Sequence, residues 1–297
     1  MPFHFRKREP VAKAMRRMCR ERVDDALKTL KRGDHLKVVH NVRKEIKKLR
    51  AIFRLMRGEI GNKIYRRSNK ALRAAAGGLT AMRDAQVKLI AFENLAKHFR
   101  HRLSARPFPK IKAALQKNCR DEERKFLEGR SVASVGKILR ALKKNAVGLK
   151  TGSKGWKAIR PGLTRSYRRG QEALRTVHED VSPENLHEWR KRVKDLGYHL
   201  RLLCRVWPKE LQATTDELET LGELLGDDQD LVMLAEFARE KFQGTGDADV
   251  LGRLIGLRQM ELRAEALKIG ERFYAEEPAY FCRRIGDYWK IWRGKKK

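Results

Sequence analysis

Cysteine is scarce in this chain of 297 residues, and the four that occur stand far apart, at Cys19, Cys119, Cys204 and Cys282. No two of them form a Cys-x-x-Cys pair, which argues against a zinc knuckle and gives no sign of a disulfide framework. The sequence also lacks the apolar segment of a signal peptide at its N-terminus and any apolar run of transmembrane length. We therefore expect a cytoplasmic protein without a membrane span.

The motifs of common hydrolases and nucleotide-binding enzymes are missing too: there is no Walker-A loop, no His-Glu-x-x-His and no Gly-x-Ser-x-Gly. Enzymes that act on phosphate normally hold Mg²⁺ with carboxylates. The only tight acidic cluster comprises Asp227, Asp228 and Asp230, which we interpret as partners in pairing between helices. His98 and His101 lie one helical turn apart without a carboxylate or cysteine partner, so we interpret them as surface residues. We predict no catalytic residues, no metal site and no cofactor, and hence no enzyme.

Acidic residues are a minority: Asp and Glu total 37 against 70 Lys and Arg, which leaves a formal charge of +33 at pH 7. Such an excess repels itself in a folded protein and usually reflects a polyanionic partner. The candidates are nucleic acid, an anionic membrane surface and a phosphate polymer. Hydrophobic residues make up 41% of the chain and recur at helical spacing, which predicts a packed core rather than a disordered basic chain.

Sustained strand alternation is absent, and Pro and Gly separate long segments of helical period, so we predict an all-α fold. Ser182 and Pro183 form a good helix start, with Ser as N-cap and Pro at the first helical position. We place helices at roughly 9–31, 36–57, 61–100, 109–128, 132–147, 158–179, 183–205, 208–242, 248–275 and 278–293.

One segment of the sequence occurs twice, at residues 39–55 and 186–202, with an offset of 147 residues. The matching polar pairs are His40 and His187, Arg43 and Arg190, Lys44 and Lys191, Lys47 and Lys194, and Arg54 and Arg201. A core needs repeated apolar residues, but it does not need the same histidine and the same cations. The repeat therefore suggests an anion-binding site built from both halves of one domain, residues 1–147 and 156–297, divided by the segment 148–155.

On each duplicated helix the cations flank the apolar stripe, as Arg43 and Lys47 flank Val42 and Ile46. Cations in that position can line a groove between helices, with their stems packed and their charged heads converging. The alternative is an ordinary solvated face with ion pairs four residues apart. The two histidines either contact the ligand or orient their neighbours.

Other helices add to this cationic set. The first helix of each half carries clustered cations, namely Lys13, Arg16, Arg17 and Arg20 in one and Arg165, Arg168 and Arg169 in the other. The following helices differ in charge: Arg66, Arg67, Lys70 and Arg73 in the first half correspond to Asp216, Glu217, Glu219 and Glu223 in the second. We therefore expect the first half to bind an anion more strongly.

The order of these motifs resembles the CHAD family, the conserved histidine α-helical domain. The resemblance rests on the paired His-x-x-Arg-Lys-x-x-Lys helices, the segment from Arg165 to Gly170, the Arg83-Asp84 turn with its partner Asp230, and the closing segment from Tyr280 to Trp292. It covers nearly the whole chain. It implies two four-helix bundles related by pseudo-two-fold symmetry around a central basic groove or pore.

The same resemblance implies binding of inorganic polyphosphate, for some members at polyphosphate granules. Carried onto this chain, the implied ligand-lining residues are His40, Arg43, Lys44, Lys47, Arg50, His187, Arg190, Lys191 and Lys194, assisted by the first-helix arginines Arg16, Arg17, Arg20, Arg165, Arg168 and Arg169. Gly197 stands where the first copy has Arg50, so the second copy should contribute less there. The Glu-x-Glu-x-Lys signature of the CYTH triphosphatase domain does not occur, and we expect a stand-alone CHAD protein.

Two other functions compete with polyphosphate binding. Charge alone is compatible with a nucleic-acid-binding protein. Against it, the sequence resembles no helix-turn-helix, RRM, KH or OB module, and aromatic residues are only 7% of the chain, mostly on apolar stripes. An adaptor that carries other proteins to an anionic surface is compatible with polyphosphate binding. We make no prediction of oligomeric state.

Overall fold

The computed structural model describes residues 3–103 and 108–294, and all of the regular structure within them is helical. The α-helices are α1 (Val11–Thr29), α2 (His35–Leu55), α3 (Arg57–Ile60), α4 (Asn62–Gly77), α5 (Thr80–His98), α6 (Pro109–Glu128), α7 (Ser131–Ala146), α8 (Trp156–Glu179), α9 (Pro183–Leu203), α10 (Pro208–Phe242), α11 (Gly246–Phe273) and α12 (Pro278–Trp292). A 3₁₀ turn, Arg100–Arg102, follows α5. The predicted all-α fold is confirmed. A break is expected from Ser104 to Pro109, and residues 104–107 of it lie outside the described part.

The helices begin where capping chemistry favours a start. Ser182 accepts a hydrogen bond from the backbone N–H of Asn185 and caps α9, as its position before Pro183 predicts. Asp34 caps α2 in the same way through the N–H of Lys37. These local contacts depend only on neighbouring residues, which is why the sequence places these helix starts to within a residue or two.

One predicted helix is wrong in its extent. The sequence predicts a single helix over residues 61–100, whereas the chain breaks after Gly77 into α4 and α5. Gly77 and Gly78 are poor helix formers, and a methyl group at Gly78 would lie 3.4 Å from Cγ2 of Val135 on α7. The corresponding region of the second half is one uninterrupted helix, α10, so the two halves differ here.

The packing of helices recurs in the two halves. In the first half α1 packs on α2 and α7, and α5 packs on α6; in the second half α8 packs on α9 and α12, and α10 packs on α11. The halves meet where α2 contacts α9 and where α5 contacts α10. This arrangement places the two duplicated cationic helices side by side at the centre of the molecule. The pseudo-two-fold axis itself stays a prediction.

The buried core does not follow the division of the sequence at residues 148–155. The larger buried cluster contains residues from all twelve α-helices, and the smaller one draws on α5, α6, α10 and α11. Each cluster therefore contains apolar residues from both halves. None of the described helices is both long enough and apolar enough to span a membrane.

Candidate functional site

A groove lies where the two halves meet, between α2, α5, α9 and α10, and encloses about 310 Å³. Its lining contains seven cations and four carboxylates. The cations are Arg43, Lys44, Lys47, Arg83, Arg190, Lys194 and Arg201, and His40 lies among them. Six of the residues that the sequence predicted are therefore brought together here, from both copies of the duplicated helix.

The cations of the two halves lie close enough to repel one another. Lys47 of α2 is exposed, yet the surrounding protein, followed by the charges of Arg190, Arg43 and Lys194, lowers its pKa from 10.5 to about 8. Burial and the charges of Arg190 and Arg201 also lower the pKa of Lys194. Converging cations with lowered pKa values indicate a place where an anion would relieve repulsion.

Two glycines of α10 make room for the cations of α9. A methyl group at Gly226 would lie 2.9 Å from Nη2 of Arg190, and one at Gly222 would lie 3.0 Å from Nζ of Lys194. Both side chains thus run directly over the backbone of α10. A larger residue at either position would push the charged group away, so these glycines position the cations.

Arg43 is held in place by its own half of the chain. Its Nη1 donates to the carbonyl of Ala76 at 3.2 Å and to Oγ1 of Thr80 at 2.9 Å. These acceptors flank the break between α4 and α5. Arg43 therefore stabilises that joint as well as lining the groove, whereas Lys47 has no ion pair or hydrogen bond within the described residues.

The wall formed by α10 carries a stripe of carboxylates. Glu219, Glu223, Asp227 and Asp230 follow one another at helical spacing and all line the groove. Glu219 pairs with Arg201, but Asp227 and Asp230 have no ion pair within the described part of the chain. Burial raises the pKa of Asp230 to about 6, in spite of the opposing charge of Arg190.

The interpretation of the acidic cluster as pairing between helices holds for only one of its three members. Asp228 is buried and accepts a hydrogen bond from Nε of Arg263 on α11 at 2.7 Å. Asp227 and Asp230 point to the groove instead. The groove is therefore less cationic than the sequence suggests, because its second-half wall supplies negative charge.

The two duplicated histidines have similar electrostatics but different positions. His40 lines the groove, whereas His187 lies outside its lining. Burial, followed by the charges of Arg83 and Lys44, lowers the pKa of His40, and burial with Lys191 lowers that of His187. Both imidazoles are therefore neutral at pH 7, and the Arg and Lys residues carry the positive charge of the site.

Several other predicted residues are occupied elsewhere. Arg17 is buried and forms ion pairs with Glu9 at 2.7 Å and Glu21 at 3.0 Å. Lys191 pairs with Glu188 at 3.0 Å on its own helix. Because these cations already have carboxylate partners outside the groove lining, the structure does not bring them to the site.

The remaining predicted residues lie on other surfaces. Arg20 is exposed and lines none of the cavities described here, and Arg50 donates to Oδ1 of Asn69. Arg169 lines a small pocket of about 30 Å³ around Asp195. Arg16, Arg165 and Arg168 line a separate hollow that shares no lining residue with the groove.

Two cations of the groove were not among the predicted site residues. Arg201 belongs to the duplicated stripe, matched to Arg54, and that match was the available signal. Arg83 lies on α5 directly before Asp84, whose counterpart in the second half is Asp230. This turn was a signal of the family resemblance, but Arg83 itself corresponds to Gln229 and has no cationic counterpart. Its place in the groove follows from the contact between α5 and α10.

The described residues contain no group of three or more His, Cys, Asp and Glu side chains that could hold a metal ion. Nε2 of His98 lies 3.0 Å from Oε2 of Glu261, so His98 has a carboxylate neighbour that the sequence did not indicate. What the groove offers chemically is a set of charged donors that can bind several oxyanions at once.

Comparison with known proteins agrees with this arrangement of helices. The sequence model of the CHAD domain matches residues 14–239, and no curated protein sequence matches the chain significantly. PptA from Streptomyces chartreusis has a similar structure, with a TM-score of 0.65 and 14% identity over 90% of this chain and 100% of that one. The CHAD domain from the plant Ricinus communis superposes with a TM-score of 0.58 and 18% identity over 88% of this chain and 89% of that one. The chain therefore belongs to the CHAD domain family.

Proposed function

We propose that this protein binds inorganic polyphosphate in the central groove and acts in the cytoplasm at polyphosphate granules. The observation that carries the proposal is that Lys47 of one half lines the same groove as Arg190 and Lys194 of the other. Desolvation by the surrounding protein, followed by the charges of these neighbours, lowers the pKa of Lys47 to about 8. A ligand with a negative charge on every unit would neutralise several such cations together. The CHAD resemblance implies the same ligand.

The dimensions and lining of the groove favour a thin polymer over nucleic acid. A cavity of about 310 Å³ has the size of a small-molecule site and cannot admit a duplex, whose major groove alone is about 12 Å wide. Tyr198 is the only aromatic residue in the described lining, and it is buried. Single-stranded nucleic acid is usually held by exposed aromatic platforms, so the groove suits phosphate groups better than bases.

We further propose that the groove binds the polymer without cleaving it. Phosphoryl transfer requires a metal ion or another group that activates water and the leaving group. Three groove carboxylates, Glu223, Asp227 and Asp230, form no ion pair within the described residues, and both aspartates lie near Arg190. The groove cations oppose the binding of a dication, whereas they favour an anion.

The test is a titration with polyphosphates of graded length, beside single-stranded and duplex DNA, at two salt concentrations. We expect submicromolar binding of long-chain polyphosphate, with a log–log salt slope of about 3 to 5 on the analogy of single-stranded nucleic acid. Unlabelled polyphosphate should displace DNA readily, and DNA should displace polyphosphate poorly. Binding that is insensitive to salt, or no tighter than binding to DNA, would refute the proposal.

Two double variants with the same loss of charge test whether polyphosphate binds in the groove. The double variant Lys47→Gln/Lys194→Gln removes two groove cations, and Lys110→Gln/Lys112→Gln removes two exposed cations of α6 that line no described cavity. Both proteins lose the same net charge. Only the groove variant should lose affinity for polyphosphate strongly; equal losses would place the site elsewhere.

A further inference from the structure

A second basic hollow lies apart from the groove, between the chain segment before α1, the segment 150–155, the first half of α8, and α12. It encloses about 2650 Å³ and is lined by twelve cations and two carboxylates. The groove has seven cations and four carboxylates. The hollow is therefore the more cationic of the two cavities.

Most of the cations in the hollow have side chains without a partner among the described residues. Lys157, Arg160 and Arg168 lie on α8 and are exposed, and their side chains form no ion pair or hydrogen bond within the described residues. Both carboxylates of the lining are engaged: Glu59 accepts a hydrogen bond from the N–H of Ser153 at 2.6 Å, and Asp287 pairs with Lys290 at 2.7 Å. The hollow thus presents positive charge that the protein does not neutralise.

Aromatic packing and a backbone hydrogen bond hold parts of the hollow's lining in place. Trp156 packs on Trp289 with ring centroids 6.1 Å apart, and a methyl group at Gly286 would lie 2.4 Å from Nε1 of Trp156. Arg16 donates to the carbonyl of Leu149 at 2.6 Å and holds the start of the segment that joins the two halves. The helices and the connecting segment that carry these cations are therefore held in place by contacts with one another.

Arginines connect the hollow with the duplicated helix. Arg165 lines the hollow and also the small pocket of about 30 Å³, which it shares with Arg54 of α2. Nη2 of Arg165 donates to the carbonyl of Arg54 at 2.9 Å. Arg54 lies seven residues after Lys47, which is about 10 Å along the helix. Arg54 itself pairs with Asp195, and Arg165 thus connects the duplicated helix of the groove with the hollow.

We propose that the hollow is a second binding site for the same phosphate polymer, so that one protein molecule holds a long chain at two places. This inference rests on the proposed function. A concave surface does not match a flat bilayer, and the aromatic rings of the lining pack on each other rather than stand free for bases. Two linked sites raise the affinity for a long chain above that of either site alone.

The test compares three variants by calorimetric titration, with folding checked by circular dichroism and thermal melting. The hollow variant is Lys157→Gln/Arg160→Gln/Arg168→Gln, and its control, with the same loss of charge, changes the exposed α6 residues Lys110, Lys112 and Arg120 to Gln. The groove variant is Lys47→Gln/Lys194→Gln. The probes are tripolyphosphate, which is too short to occupy both sites, and long-chain inorganic polyphosphate. Duplex DNA and vesicles of anionic lipid are titrated beside them.

We expect the wild type to bind two tripolyphosphates, and the hollow variant and the groove variant one each. The hollow variant should also bind long-chain polyphosphate at least about tenfold more weakly than its control, with a salt slope lower by about 2. Equal affinities of hollow variant and control would overturn this inference while leaving the groove in place. Loss of duplex DNA or anionic vesicle binding in the hollow variant, with polyphosphate binding unchanged, would overturn it too. Failure of the wild type to bind polyphosphate would instead refute the proposed function.

Discussion

Replacing Lys47 by Gln should weaken polyphosphate binding and stabilise the unliganded protein at the same time. It lines the groove with Arg190, Arg43 and Lys194, and its ammonium has no ion pair or hydrogen bond among the described residues. A hydrogen bond between charged groups contributes about 1.5–3 kcal/mol, so its loss should weaken binding by roughly tenfold or more. The salt slope should fall by about 0.7, as expected for one lost phosphate contact.

The effect on stability follows from the lowered pKa. A change from 10.5 to about 8 corresponds to a penalty of about 3 kcal/mol on the charged form in the folded chain, which comes from the surrounding protein first and from the neighbouring cations second. Because Lys47 is exposed, solvent screening reduces this to about 1 kcal/mol. The penalty is complete below pH 8, where Lys47 is charged in the folded state, and disappears as the pH rises toward 10.5. At pH 7 the variant should therefore melt about 2–4 °C higher than the wild type.

Thermal melting without ligand and titration with long-chain polyphosphate test both effects on the same samples. Lys112→Gln, an exposed cation of α6 outside the groove, is the matched control and should change the free energy of unfolding by less than about 0.5 kcal/mol. A Lys47→Gln protein that melts lower than the wild type would show that Lys47 makes a structural contact. Unchanged affinity would remove Lys47 from the site.

Three further predictions follow from the groove. Polyphosphate binding should tighten as the pH falls from 7.5 to 5.5, because the carboxylate of Asp230, with a pKa of about 6, becomes neutral. The variant Asp230→Asn should bind roughly three- to tenfold more tightly than the wild type at pH 7.5. If the variant keeps the pH profile of the wild type, Asp230 is not the cause. Gly226→Ala should displace Arg190 and weaken binding by about 1 kcal/mol, or roughly fivefold, while helix α10 gains stability. The control is Gly252→Ala, whose added methyl group meets nothing within 4 Å; it should gain stability without losing affinity. Equal binding by the two variants would contradict the positioning role of Gly226. Incubation with polyphosphate and Mg²⁺ or Mn²⁺ should release no phosphate, and turnover that Asp230→Asn abolishes would reveal a metal site.

Local sequence patterns were sufficient for much of the fold. The apolar period of residues 39–55 and 186–202 predicts two helices, and the structure places them at α2 and α9. The capping residues Ser182 and Asp34 act within three positions of themselves. Such contacts depend on one helix at a time, so no knowledge of the packing is needed to predict them.

The composition of the groove depended on contacts between distant parts of the chain. Arg83 enters it because α5 packs on α10, and Arg17 is kept from it by Glu9, which precedes α1. Asp230 faces the groove while Asp228, two residues earlier, faces Arg263. Each of these outcomes follows from the rotation and neighbours of a helix in the folded molecule.

The sequence by itself determined that the chain is helical, where most helices begin and end, and that two of them carry the same cations. Each property is set by residues within about one turn of each other, since helical period and capping are local. Only the tertiary structure decided which cations meet. It placed Lys47 beside Arg190, faced them with the carboxylates of α10, and gathered a second set of cations in the hollow. These neighbours lie far apart in sequence, and the packing of the shared core brings them together.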